Sequence, residues 1–236
     1  MLPIGLALAL ALTGCETTAE KSSKLEKAAK HTTLLQTGLS ITHTSTEVKV
    51  VSTTVLHDSE GAAVAVTLRN LSPHTLRDVP LAITVKDAGG KTLFRNDAPG
   101  LEAAFTSLSS LSAHGEVTWV DDQVPAAGQP VNVSAQAGVA PAAAAIPPKI
   151  EARGVHLAEE ASSAIAAAGT IENRSKVAQR SLVVFVLARR AGRIVAAGRA
   201  VLPEVPAGSS VPFQAFFIGD PRGAQLQASA PATVLG

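Results

Sequence analysis

The sequence predicts an all-β fold of two tandem immunoglobulin-like β-sandwich domains, preceded by a signal peptide and a partly helical tether. Three observations carry this expectation. Apolar and polar residues alternate with period two over several short segments, the pattern of half-buried strands. Clusters of Gly, Asp, Ser and Pro punctuate those segments as turns. A strand-ending pattern then recurs about a hundred residues after its first appearance, which points to internal duplication. With 236 residues and 46% hydrophobic content, the chain can bury a core and is not intrinsically disordered. Twenty Lys and Arg stand against 19 Asp and Glu, a net charge of +1. Nucleic acid is therefore not an expected partner, because each neutralised phosphate calls for a clustered cation. The single cysteine excludes an intramolecular disulfide and a zinc site built on several thiolates.

Residues 2–12 form an apolar run interrupted by Pro3 and Gly5. As a helix it would reach only about 16 Å, against about 30 Å of hydrocarbon, so it is too short to span a membrane. Leu12, Thr13, Gly14 and Cys15 follow, and this segment resembles the lipobox of bacterial lipoproteins, where small residues precede an obligatory cysteine. The resemblance implies a diacylglyceryl group on Cys15, cleavage before it, and an acylated new amino terminus. Residues 1–14 would then be the signal peptide, although no Lys or Arg precedes its apolar run. Cys15 is the only cysteine in the chain. Several acyl chains at about 0.8 kcal/mol per buried CH₂ anchor more firmly than one. The expected location is the bacterial cell envelope, membrane-anchored and exposed to the periplasm or the cell surface.

Residues 15–41 read as a lipid-anchored tether. Glu20 with Lys24 and Glu26 with Lys30 stand at helical i,i+4 spacing in the favourable order. Lys21, Lys24, Lys27 and Lys30 could touch anionic head groups, but Glu16, Glu20 and Glu26 dilute the charge, and a solvated spacer is the reading adopted.

Strand patterns fill residues 42–137, the first expected sandwich. Val48 and Val50 open one strand. Val64, Val66 and Leu68 mark the next, and Val79, Leu81, Ile83 and Val85 share one face of a third. Turn clusters occupy 57–61 and 87–91. Residues 138–148, GVAPAAAAIPP, carry three prolines and read as a Pro/Ala linker, a semi-rigid spacer and not a strand. Residues 149–236 then repeat the first pattern. Thr67 to Ser72 corresponds to Thr170 to Ser175 at an offset of 103. For the following strand an offset of 102 is adopted, with one residue lost in the loop after the Asn, because it places Phe185 on the face kept apolar in the first copy; a one-residue slip would invert every side chain. Val117 and Trp119 match Val211 and Phe213 at an offset of 94, so the first copy holds about eight extra residues around 98–107. Residues 182–187 are apolar on both faces. The face carrying Leu182, Val184 and Val186 is expected to pack against the first copy, a loop or another molecule.

At these residues the chain resembles the FxLYD-type domain, a small immunoglobulin-like β-sandwich of bacterial exported proteins. The second copy supplies Gly169, Asn173, Phe185, Leu187, Gly192 and Gly208, with Ala188 and Arg189 where Tyr and Asp are usual. The first has Asp87 and Gly90 in place, with Ile83, Val85 and Lys86 replacing the rest. The resemblance implies the fold; the family brings no established enzymatic activity.

Side chains that could carry chemistry are sparse. His31, His43, His57, His74, His114 and His156 are scattered without metal-ligand spacing, so surface histidine is expected. There is no Gly-x-Ser-x-Gly elbow and no Gly-rich phosphate loop. Glu159 with Glu160, and Asp121 with Asp122, are adjacent pairs that point to opposite sides of an extended chain, and read as turn and edge charges. Asn70, Asn132 and Asn173 each begin an Asn-x-Ser triplet, read as structural turn residues. Trp119 is expected in the core. No catalytic residue, cofactor or metal is expected. The functional expectation is a non-enzymatic lipid-anchored protein presenting two modules to an envelope protein partner. The alternative is a ligand- or solute-binding lipoprotein using the interdomain cleft.

Overall fold

A computed structural model describes residues 37–125, 127–144, 147–159 and 165–235. Leu12, Thr13, Gly14, Cys15 and the tether up to residue 36 lie outside the described residues, as do His31 and Glu160. The chain divides after Thr37, and Gly38–Gly236 forms one compact unit. Gly38, at the end of the expected tether, already packs on this unit: a Cβ there would stand 1.9 Å from the Asp97 carbonyl oxygen.

The fold is nearly all β, and every strand pair is antiparallel. The first half contains β1 (Val48–His57), β2 (Ala62–Asn70), β3 (Leu76–Lys86), β4 (Thr92–Arg95), the single-turn helix α1 (Ala103–Thr106), β5 (Ser107–Leu111), β6 (Glu116–Val124) and β7 (Asn132–Ala137). The second contains β8 (Ile150–Glu159), β9 (Ile165–Asn173), β10 (Gln179–Arg190), β11 (Arg193–Val205), β12 (Ser210–Phe216), β13 (Ile218–Gly219) and β14 (Gln225–Ser229). One sheet of the first half runs β1-β2-β6, and β3 collects β4, β5 and β7 into the other. The second half repeats this plan as β8-β9-β12 and β13-β11-β10-β14. Within each half the apolar alternation of both sheets faces inward, as sandwich packing requires.

The repeat is visible atom by atom. Asn70 is buried, and its Nδ2 donates to the carbonyls of His74 (2.7 Å), Leu111 (3.2 Å) and Ser112 (3.0 Å). Its Oδ1 accepts from the Ser72 amide and hydroxyl, both at 2.9 Å. Asn173 makes the same set, to Val177, Val205 and Pro206, with Ser175 donating to its Oδ1. Both asparagines satisfy main-chain groups left open where one strand ends and another begins.

The register of the next strand corrects the sequence reading. Asp78 and Ser181 share a positive φ (49° and 47°) and stand 103 apart. At that offset Val79, Leu81, Ile83 and Val85 match Leu182, Val184, Val186 and Ala188, and each set packs into its own half's core. The offset becomes 102 only in the following hairpin, where Gly90 (φ 84°) matches Gly192 (φ 78°). The missing residue therefore lies in that turn and not in the loop after the Asn. Size misled the reading: Phe185 faces away from its own core. The extra segment is where the sequence placed it. In the first half β4 leaves β3 after Arg95, α1 intervenes, and β5 resumes pairing from Ser107. The second half crosses the same distance in the unbroken β11.

Val183, Phe185 and Leu187 lie with Ile194 and Ala197 in the hydrophobic cluster of the first half. Strand 182–187 is thus buried on both faces as expected, but with the faces exchanged. β2 is likewise buried on both sides: Val64, Val66 and Leu68 look into the first sandwich, while Ala63, Ala65 and Thr67 lie on the opposite face. The four sheets therefore stack as layers, with β1-β2-β6 against the β10-β11 sheet in the middle. The 138–148 segment does not stand off from the body. The Gly138 amide donates to Pro80 O (2.8 Å), Arg77 N to Pro141 O (3.0 Å) and Ala143 N to Thr75 O (2.7 Å). These bonds prolong the edge pairing of β3 beyond β7.

Candidate functional site

The seam between the two halves holds the least usual chemistry among the described residues. In β6 the register shifts opposite Ala63, so that Asp121 pairs with Val64 and Val124 with Ala62. This bulge sets the direction of both acids. Asp121 turns to the side of Trp119, into the first sandwich, and its Oδ1 accepts the Gln123 amide at 2.9 Å. Asp122 contacts the second half, and its Oδ2 accepts the Arg199 amide at 2.9 Å. The expectation of turn and edge charges fails here: both lie within a strand, and Asp121 is only 1% exposed. The bulge amide needs an acceptor, and a short carboxylate supplies it locally.

Arg199 sits opposite Phe185 on β11 and faces the first half. Its side chain is 4% exposed. The guanidinium lies 3.9 Å from the centroid of the Phe105 ring, and its Nε stands 4.0 Å from Asp122 Oδ1. Asp121 Oδ2 and Arg199 Nη1 are buried and have no hydrogen-bond partner. Burial pushes the Asp121 carboxyl up to about 6 from its ordinary 3.8, against the opposing pull of the Gln123 amide and the Arg199 charge. Burial also raises Asp122 and lowers Arg199. A second carboxylate crosses the seam in the same manner, with the Gly219 amide donating to Asp58 Oδ2 at 2.7 Å. Two acids of the first half thus receive main-chain N–H groups of the second. Among the described residues no hydroxyl or imidazole is hydrogen-bonded to the Asp121, Asp122 and Arg199 side chains, and Asp122 ties the halves together through the Arg199 amide.

Where an interdomain cleft was expected, the boundary is filled by Phe185 and its neighbours. Grooves remain at its margin. One of about 430 Å³ opens between α1 and the start of β10, walled by Val183 and Phe185 with Glu102 and Arg180 on its lining. Others run beside β14.

The remaining candidates fall as follows. His43, His57, His74, His114 and His156 are exposed and separate, and among the described residues no three His, Cys, Asp or Glu gather as a metal site. Trp119 is fully buried, its Nε1 donating to Ala104 O at 3.2 Å. Asn70 and Asn173 are the structural turn residues described above, and Asn132 opens β7 in an exposed position. Sequence reasoning missed Asp121, Asp122 and Arg199 as a set, and also Asn96, whose side chain bonds the Ile83 amide and the Leu81 and Phe105 carbonyls. The available signals were two acids inside the apolar run VTWVDDQV and a lone Arg inside AAGRAV. Among the described residues no helix is long and apolar enough to cross a membrane.

No family model and no curated protein matches the chain. Among solved structures, the exo-chitosanase CsxA of Amycolatopsis orientalis aligns at 12% identity with a TM-score of 0.26, over 75% of this chain and 25% of that one. A complex of a variant of the same enzyme with PNP-beta-D-glucosamine aligns at 13% identity and a TM-score of 0.27. The chain spans a quarter of the length of those proteins.

Proposed function

We propose that this is a non-enzymatic, lipid-anchored protein of the bacterial cell envelope that holds a pair of fused immunoglobulin-like modules against another envelope protein. The observation that carries the reading is the sole cysteine at position 15, directly behind an apolar run and Leu12, Thr13 and Gly14. Lipid on that sulfur would fix the chain to a membrane without a spanning helix. The body supports a binding role through its seam, where Asp122 and the exposed Asp58 each accept a main-chain N–H of the second half. Mass spectrometry of the mature chain purified from membranes is expected to show an amino-terminal, diacylated Cys15, and Cys15→Ala should move the protein from the detergent to the aqueous phase. A full-length chain with a bare thiol would overturn the anchor. Crosslinking in intact cells tests the partner, with a discrete protein adduct expected.

A further inference from the structure

We infer that the outer edge of β14 is a strand-addition site, which takes an extended peptide segment of a partner protein with polar and apolar side chains in alternation. The inference rests on the binding role proposed above and names where and how the partner is held.

β14 ends its sheet, and among the described residues no strand pairs with its far side. In a ladder every second residue turns its amide and carbonyl outward, so an unpaired edge is a template for another strand. The other strand edges of the second half are blunted. β13 has two residues, β12 contains Pro212, and β8 is bulged between Arg153 and His156. The outer side of β7 is tied to the first half's own chain by Thr53 Oγ1 on Val133 O (3.0 Å) and by Ser45 N on Ala137 O (2.9 Å). β14 reads Gln, Leu, Gln, Ala, Ser, with no charge and no proline.

This edge lies along a trough. A groove of about 380 Å³ follows it on the side of β6, and one of about 430 Å³ on the side of β8. The two share Val117, Ala228 and Ser229 and so adjoin along the strand. Five strand residues span about 17 Å, the reach of a short extended segment. The walls set its pattern. Gln225, Gln227 and Ser229 stand opposite Arg189, Leu187 and Phe185, on the face turned to the first half, where Thr118 and Glu116 close the wall. Leu226 and Ala228 turn the other way, against the second core, beside Ile150 and Ala152 of β8. An added strand would continue both faces, polar towards β6 and apolar towards β8. Walls on both sides favour a slender segment over the same recessed edge of a second copy.

The probe is a library of eight-residue peptides alternating Thr or Gln with Val or Ile, tested on the full chain by fluorescence anisotropy. Binders are expected, and N-methylation of a binder at one alternate set of amides should weaken it at least about tenfold while the other set has little effect, because only one set faces the edge. Ala152→Glu should weaken binding at temperatures where circular dichroism shows the variant folded, a condition needed because Ala152 packs against the second core. No binder, equal effects of the two methylated sets, or a dimer whose formation excludes peptide would each overturn the site. Photo-crosslinkers at Gln227 and at Lys86 in cells separate this from the broader reading: adducts at Lys86 alone would sink the β14 site and keep a protein partner, while no adduct at any surface position would sink the partner itself.

Discussion

Asn173 places five hydrogen bonds at a single turn, three donated by its amide and two accepted by its oxygen. Removing that side chain leaves buried carbonyls without donors, each with a desolvation cost. Asn173→Ala is expected to lower unfolding free energy by about 3 kcal/mol, read by urea denaturation, and Asn70→Ala by a similar amount. Asp121 makes the opposite kind of contribution. Its carboxyl titrates near 6 in the folded chain against an ordinary 3.8, so between those values the folded state holds a proton that the unfolded state has released. Stability from this group is complete below about pH 4 and falls as pH rises through 6, by about 3 kcal/mol. Asp122 shifts in the same direction. Asp121→Asn should therefore gain on the native chain as pH rises from 4 to 7, in thermal melts recorded across that range. A constant difference between the two would contradict the burial argument.

At the scale of elements, the junction between β4 and α1 depends on one buried amide. Asn96 Oδ1 accepts the Ile83 amide at 2.7 Å, and its Nδ2 donates to Leu81 O at 2.8 Å and Phe105 O at 2.7 Å. It replaces ladder bonds that β3 loses where β4 departs. Asn96→Ala is expected to cost about 2 kcal/mol and to speed hydrogen exchange at the Ile83 amide ahead of the rest of β3. The strands themselves were legible in the sequence, because a half-buried strand writes its burial as alternation: Val79, Leu81, Ile83 and Val85 needed no further information. The direction of Phe185 was not legible. A strand covered on both faces has no polar side to mark outward, and side-chain size is a poor substitute when the second face meets another sheet. Asp121 and Asp122 were hidden for a related reason, since a bulge inside a strand leaves no turn residue to announce it. Of the candidate site, the sequence reading named Asp121 and Asp122 as turn and edge charges and did not single out Arg199; their meeting depends on a register shift in β6.

The unit Gly38–Gly236 behaves in this structure as one stack. Because Val183, Phe185 and Leu187 complete the first half's cluster, the halves should unfold together. Calorimetry is expected to show one transition with equal calorimetric and van't Hoff enthalpies; two resolved transitions would mean that the seam contributes little. Phe185→Ala should cost about 3 to 4 kcal/mol and should weaken hydrogen-exchange protection in β2 and β6, although the residue belongs to the other half. Gly198 marks how closely the main chain is crossed within the second half: a Cβ there would lie 1.9 Å from Phe216 O.

The doubly covered β2 has an evolutionary consequence. A duplicated module ordinarily keeps its freedom to be shuffled, lost or multiplied along a gene, because its surface is indifferent to its neighbour. Here one half's outer wall of Ala63, Ala65 and Thr67 is buried beneath the other half's β10-β11 sheet. Recombination that exchanged either sibling alone would strand an oily wall in water, so this pair is bound to be inherited together.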